Sequence, residues 1–323
     1  MTSSAALVDP VVTVLLALYQ QPETTLPALA QRTGLSRAAV QQTLTELTAR
    51  RCLLEQTPTT LSLTAIGLPC WNDLLGQLAT LRGWTLARRS MVFQQVRSTN
   101  DICWAAINDP QAHGLTVLAD MQTAGRGRRG ARWEASAGQS LLISILLRDA
   151  TVNPETLTLL LGLAVARALE TRLPHSVQIK WPNDVLVDGR KIAGVMVEKR
   201  HPHIVLGLGV NIAQGAADFP PELRPHATSL YLQTQRFHDR FPLLVALLEQ
   251  IESWCLHPPA TTDWIADWKA RCPMLGTTIT LHQNQRPLTG QILDIDPLQG
   301  LVLRDAHGVT HFCPAQTSTL NPR

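Results

Sequence analysis

The residues best suited to chemistry are concentrated in residues 122–133, which read Gln-Thr-Ala-Gly-Arg-Gly-Arg-Arg-Gly-Ala-Arg-Trp. Three glycines, four arginines and a tryptophan in so short a stretch suit neither a helix interior nor a strand, and they suit an anion well. Gly125, Gly127 and Gly130 allow positive φ and close backbone approach, so successive N–H groups are expected to converge on one oxyanion. Arg126, Arg128, Arg129 and Arg132 add forked donors that stay charged at any physiological pH. Trp133 offers a flat face to an aromatic base or a cation. The glycine spacing also matches the dinucleotide fingerprint, but that motif requires a helix opening on its last glycine. Here a small polar run, 136–140, leads instead into the apolar run 141–147, which reads as a buried strand.

Three further clusters could share a site with this loop. Ser98-Thr99-Asn100 follows an expected strand over 91–96 and precedes an expected helix over 101–108; helix capping accounts for one of these side chains, and three in a row also fit a polar ligand edge. Residues 177–198 read as two strands meeting at an Asp188-Gly189 turn. Pro182 breaks the first of them, which is expected to leave Trp181, Asn183 and Asp184 displayed on irregular backbone near Lys191. In the strand 205–212 the alternating Gly207 and Gly209 permit something to lie against the sheet, and Asn211 could pair with an adenine edge. The alternatives are a basic surface turn, a plain cap and a strand bulge.

The elements that must hold these clusters can be read from the rest of the chain. At 323 residues, 45% hydrophobic and 16% charged, the chain has room for two or three ordinary globular domains, and a net charge of +3 does not by itself argue for nucleic acid or membrane. The six cysteines show no C-x-x-C pair, so reduced, buried thiols are expected, and His201 and His203 lack a third ligand for a metal. With no positive stretch at the start and no membrane-length apolar run, a cytoplasmic location is expected. Residues 26–37 read as a helix, a glycine turn at Gly34 and a serine cap at Ser36, and a second helix over 37–50 turns Val40, Leu44 and Leu47 inward. A hairpin around 57–59 completes a winged helix, with Ser36, Arg37, Gln41 and Gln42 as candidate DNA contacts. Through residue 80 four arginines face five carboxylates, a net charge of −1, so a single module should hold phosphate weakly and a dimerisation or docking module is the alternative. A linking helix is expected to bury Leu74, Leu75, Leu78 and Leu81 and to end by Gly83, a long helix spans 154–173, and four short strands after 276 suggest a small β-barrel.

Taken together, Ser98-Thr99-Asn100, the 122–133 loop, the Lys180-Trp181-Pro182-Asn183-Asp184 segment, residues 190–194 and residues 207–211 closely resemble the biotin protein ligases in their long form, over nearly the whole chain. The resemblance implies an α+β multidomain protein. Its expected parts are a winged helix-turn-helix (1–66), a linking helix (67–88), a mixed-sheet catalytic domain related to class II aminoacyl-tRNA synthetases (89–272) and an SH3-like barrel (273–323). It implies Mg-ATP and biotin as substrates, a biotinyl-adenylate intermediate, and transfer to a lysine of the biotin carboxyl carrier protein of acetyl-CoA carboxylase. It also implies a homodimer that forms when the adenylate is bound and represses biotin synthesis at operator DNA.

Carried over residue by residue, Ser98, Thr99 and Gln122 would bind the ureido ring, with Asn100 also among the biotin-binding residues, and Gly125, Arg126, Gly127 and Arg128 would hold the carboxylate and phosphate. Lys191 would bridge those two groups, and Gly194, Met196, Gly207 and Gly209 would line the biotin slot. Arg128, Trp133, Lys180, Asn183 and Asn211 fall on the nucleotide side, as does the 219–230 segment; Asp184 would receive the incoming lysine, and no metal ligand is assigned. Ala131 departs from relatives that carry arginine there, which implies weaker ordering of the loop. A lipoate-type ligase and a ligand-sensing regulator are the rival classes.

Overall fold

The structure is a computed structural model and describes residues 9–258, 261–283, 286–296, 299–314 and 318–320. The expected first boundary at residue 1 and last boundary at residue 323 lie outside the described residues, as does most of the chain's start.

Helix α1 (Pro10–Gln20) opens where the Asp9 side chain accepts the Val11 N–H at 2.8 Å and proline occupies the first turn. It packs on α2 (Leu26–Thr33), which stops at left-handed Gly34, and on α3 (Arg37–Ala49), whose Ser36 cap accepts the Ala39 N–H at 3.2 Å. Val40, Leu44 and Leu47 are buried as expected. Strands β1 (Glu23–Thr24), β2 (Leu53–Gln56) and β3 (Leu61–Ala65) form an antiparallel sheet in the order β1-β3-β2, completing the winged helix-turn-helix. In α4 (Trp71–Arg82), which ends at Gly83, Leu74, Leu75 and Leu78 are buried but Leu81 is 62% exposed, although Ala79 in the same turn is buried. The linker is bonded to the central domain: Ile66 N–H donates to Asp239, and the Thr85 and Leu86 N–H groups donate to the buried Glu252 carboxylate at 2.8 and 2.9 Å.

The central domain is a seven-stranded mixed sheet in the order β4-β5-β6-β10-β9-β8-β7. Its strands are β4 (Ser90–Val96), β5 (Thr116–Gln122), β6 (Ser140–Leu147), β7 (Gln178–Lys180), β8 (Asp184–Val187), β9 (Arg190–Arg200) and β10 (His203–Asn211), and only β4 and β5 run parallel. The two faces make two cores. Ile143, Ile145, Leu206 and Leu208 face the helices α6 (Pro154–Glu170), α8 (Arg240–Ile251) and α9 (Thr261–Ala270), while Leu146 and Val205 face α5 (Thr99–Ala105). Alternation along β6 and β10 is therefore a choice between two apolar layers, as expected for strands buried on both faces. A short α7 (Leu230–Thr234) closes the 219–230 segment.

Two local expectations change here. Helix α5 begins at Thr99 rather than 101, and the Ser98 side chain makes no capping bond, so Ser98 is free to face the site. Pro182 does not merely break a strand: β7 and β8 are antiparallel, with Lys180 opposite Asp184 across a turn containing a cis Trp181–Pro182 bond, and Trp181 is buried rather than displayed. The Asp188-Gly189 turn is as expected, with both residues at positive φ and Val187 opposite Arg190.

The carboxy-terminal unit is an antiparallel, SH3-like sheet in the order β14-β13-β12-β11-β15. It is made from β11 (Thr278–Gln283), β12 (Arg286–Asp296), β13 (Gly300–Arg304), β14 (Thr310–Cys313) and β15 (Ser318–Leu320), one strand more than the sequence suggested. Leu281, Ile292, Leu301 and Leu303 fill its interior. All six cysteines are buried free thiols.

Candidate functional site

The floor of the site is where β6, β10 and β9 lie side by side. Gly209 stands opposite Gly194 and Leu142, and Gly207 opposite Met196 and Ser144, so these residues share one face. A Cβ on Gly209 would lie 2.4 Å from the Trp133 ring, and one on Gly207 would lie 2.8 Å from Asn100 Oδ1. What lies against the sheet is thus the chain's own Trp133 and Asn100, and the glycines are required for that approach.

At one end of the floor the groups are neutral and polar. Thr99 donates its N–H and hydroxyl to Gln122 Oε1 at 2.7 and 3.0 Å, and Ser144 Oγ lies 2.6 Å from Thr99 Oγ1 and 2.5 Å from Asn100 Oδ1. Among the described residues, these bonds leave Asn100 Nδ2 buried without a partner. A buried amide donor in that state costs free energy, and the cavity it borders is where an acceptor would relieve it.

The other end is cationic. Lys191 Nζ lies 2.6 Å from Asp184 Oδ1 and 5.6 Å from the Trp133 ring centroid. Arg128 Nη1 is 3.4 Å from Asn183 Oδ1, and Asn183 in turn donates to the Val195 carbonyl at 2.9 Å. Arg126 Nη2 donates to Asp101 at 2.7 Å and lies 3.6 Å from Glu198; the bond to Asp101 is the main reason its guanidinium holds its proton even more firmly than usual. The backbone of Lys191 is gripped separately, its N–H donating to the His226 carbonyl at 2.7 Å and its carbonyl accepting from Thr228 at 2.8 Å. The 219–230 segment therefore reaches the site through Lys191.

The loop itself differs from the expected nest of converging amides. It closes as a miniature hairpin, with Arg126 bridged to Arg132, Gly127 N–H donating to the Ala131 carbonyl at 2.7 Å and Trp133 N–H to the Gly125 carbonyl at 3.0 Å. Of its three glycines only Gly130 has positive φ; Gly127 sits at φ −103°, and Gly125 is needed because a Cβ there would lie 2.6 Å from the Trp133 carbonyl oxygen. The Gly127 and Trp133 N–H groups are thus spent within the loop.

Between the two ends is a cavity of about 240 Å³. Ser98, Thr99, Asn100, Gln122, Arg126, Gly127, Arg128, Trp133, Asn183, Asp184, Lys191, Gly194, Met196, Gly207 and Gly209 all line it, so most residues singled out from the sequence come together. Three do not line it. Gly125 accepts the Trp133 N–H through its carbonyl, Lys180 stands opposite Asp184 across the β7–β8 turn, and Asn211 is 5% exposed with its amide donating to the Thr228 carbonyl and accepting from Gln214. An adenine contact from Asn211 would need those bonds exchanged. Sequence reasoning missed Ser144, whose signal was a polar residue inside an apolar run, and the Asp101 and Glu198 carboxylates around Arg126. A second cavity, of about 420 Å³, adjoins the 219–230 segment and is lined by Glu134, Gln139, Gln214, Phe219 and Arg224 among others.

In the winged helix, Arg37, Gln41 and Gln42 are exposed on α3, whereas the Ser36 hydroxyl is committed to its cap. Among the described residues no group of three or more His, Cys, Asp or Glu is placed to hold a metal, and no helix is long and apolar enough to cross a membrane.

The fold has known counterparts. The model of the biotin/lipoate A/B protein ligase family matches residues 92–211, and that of the MarR family matches residues 9–59. The chain is 33% identical over 237 residues to a biotin--[acetyl-CoA-carboxylase] ligase of Mycobacterium tuberculosis, covering 71% of this chain and 86% of that one. It is 30% identical over 223 residues to the bifunctional ligase/repressor BirA of Bacillus subtilis, covering 66% and 68%. The biotin protein ligase of Aquifex aeolicus in complex with biotin and ATP superposes with a TM-score of 0.64 at 26% identity, over 73% of this chain and 100% of that one. The chain belongs to the biotin protein ligase family, and it carries an amino-terminal winged helix like that of the ligase/repressors.

Proposed function

We propose that the cavity takes biotin with its ureido ring at the Ser98–Asn100 end and its carboxylate at the Arg126–Lys191 end. ATP then converts the carboxylate to biotinyl-adenylate with release of pyrophosphate, and a carrier lysine displaces AMP. The observation that carries the reading is the pairing of a neutral hydrogen-bonding end, including the orphaned Asn100 Nδ2, with a cationic end across one glycine floor. A lipoyl group would bring a dithiolane with no polar edge to that first end, which favours biotin over the lipoate alternative.

A carboxylate is inert toward amines until it carries a leaving group, and adenylation supplies AMP for that purpose. Adenylation crowds negative charge onto the carboxylate and α-phosphate, which Lys191, Arg126 and Arg128 stabilise beside the apolar sheet. Magnesium enters with the nucleotide's phosphates, as is usual for that ion, and no protein cage is assigned to it. In the second step Asp184 accepts or orients the attacking ammonium, since a lysine with an ordinary pKa of about 10.4 must lose a proton before it attacks. Trp133 and the 219–230 segment lie on the nucleotide side. The carrier is the biotin carboxyl carrier protein of acetyl-CoA carboxylase, and the enzyme works in the cytoplasm.

The winged helix extends this to a biotin-responsive repressor that binds operator DNA as a homodimer when biotinyl-adenylate is present. Incubation with ATP, labelled biotin and an apo carrier domain tests the ligase: label on the carrier lysine is expected, and none appearing with biotin and ATP saturating refutes it. The working domain division remains 1–66, 67–88, 89–272 and 273–323.

A further inference from the structure

Arg126 is already engaged in this structure by two carboxylates that differ in kind. Glu198, on β9, has its second oxygen held by the indole N–H of buried Trp104 at 2.6 Å, and the Arg200 guanidinium lies 4.4 Å from the Trp104 ring centroid. It is a fixed group. Asp101, in the first turn of α5, has a side chain 42% exposed, and among the described residues its carboxylate has no hydrogen bond besides the one from Arg126. Neither carboxylate lines the cavity, whereas Arg126 does.

We infer that Asp101 is a built-in counter-anion of the carboxylate subsite, holding Arg126 in the ligand-free site and giving way when a ligand's carboxylate or phosphate takes the same guanidinium. The inference rests on the proposed ligase reading and adds to it a residue that sets the affinity of the carboxylate subsite. A guanidinium offers five N–H donors, so Arg126 can keep Glu198 and exchange only its exposed partner. A half-exposed ion pair is weak enough for that exchange to be easy. The exchange also sets a threshold: an anion with nothing else to offer gains little by displacing Asp101, whereas a ligand that also satisfies the Ser98–Asn100 end recovers the difference.

Asp101→Asn keeps shape and helix position while removing the charge. The measurements are biotin-dependent pyrophosphate release at varied biotin, and its inhibition by pentanoate, a carboxylate with an alkyl chain and no ureido ring. For Asp101→Asn the KM for biotin and the inhibition constant of pentanoate are each expected to fall roughly two- to fivefold, and Asp101→Glu is expected to return both toward wild type. A purely structural role for Asp101 would weaken binding or leave it alone. Unchanged or raised constants in Asp101→Asn, with wild-type turnover intact, overturn the inference and leave the ligase reading standing; no biotin-dependent pyrophosphate release from the wild-type chain overturns both.

Discussion

Replacing Lys191 by methionine removes the ammonium and keeps an unbranched side chain of similar length. The magnitude of the loss can be worked from where Nζ sits. It is 2.6 Å from Asp184 Oδ1 and borders the cavity at the end assigned to the reacting carboxylate. A unit charge about 4 Å from a developing anion, at an effective dielectric of about 20, contributes roughly 4 kcal/mol. Loss of a single oxyanion donor in acyl-transfer sites costs about 10²–10³ in rate, or roughly 2.7–4 kcal/mol. The two estimates agree. Asp184, left without its partner, adds to the penalty by facing the same anion. Folding is expected to survive, because Lys191 holds the 219–230 segment through its backbone N–H and carbonyl, at 2.7 and 2.8 Å, and not through its side chain. The assay is biotin-dependent exchange of labelled pyrophosphate into ATP at saturating biotin, with a thermal melt of the same sample. A Lys191→Met exchange rate within threefold of wild type, in a protein that melts normally, would refute the assignment.

Asp184→Asn is expected to form adenylate at close to the wild-type rate and to slow transfer to the carrier lysine by about 10²–10³; single-turnover transfer from preformed adenylate separates the steps, and equal losses in both count against the role. Gly209→Ala places a Cβ 2.4 Å from the Trp133 ring, so the ring must lift and the slot must narrow; the KM for biotin is expected to rise by about tenfold or more, and an unchanged KM sinks the account of the floor. Asp239 accepts the N–H groups of Phe241 and Ile66 at 3.1 Å each, and burial raises its carboxyl pKa. A raised folded-state pKa means the contribution is fully present below the unfolded value and is lost as pH climbs through the folded one. Asp239→Ala should therefore cost about 1–2 kcal/mol and cost more at pH 4 than at pH 7; urea unfolding at both values checks this, and a penalty that grows with pH contradicts it. Arg37→Ala is expected to weaken binding to a two-fold symmetric operator and to lower its salt dependence by about one ion per module; footprints with biotin and ATP present decide it, and an unaltered footprint removes Arg37 from the contact.

Local signals carried much of the fold. Ser36 and the two glycines at 34 and 83 mark helix ends by chemistry confined to a few residues, and α2, α3 and α4 begin or end at them. The Asp188-Gly189 turn set its hairpin register in the same way. Errors arose where tertiary packing overruled the local pattern. Leu81 continues the helical spacing of α4 yet is exposed, while Ala79 in the same turn is buried. Trp181 looked displayed by Pro182, but the antiparallel return of β8 gives it a core to enter. Gly125 and Gly127 looked like positive-φ positions, and one instead clears space for the Trp133 carbonyl while the other spends its N–H on Ala131. Asn211 had the right functional groups, but Thr228 and Gln214 had already taken them.

The candidate site shows the same division in a sharper form. Cavity-lining residues cluster in short stretches, 98–100, 122–133 and 191–196, because a loop or a strand presents nearby side chains to one space, and such stretches are visible without a structure. The carboxylates around Arg126 stand at the ends of two of these runs, Asp101 directly after Asn100 and Glu198 two residues after Met196. What the runs do not show is that both meet Arg126, which only the packing of α5 on the face of the central sheet brings about. A motif can therefore report which cations meet the ligand, whereas which carboxylates they leave behind is a property of the fold. The strength of ligand binding depends on both, since each cation delivers only the difference between its bond to the ligand and its bond to the carboxylate it gives up.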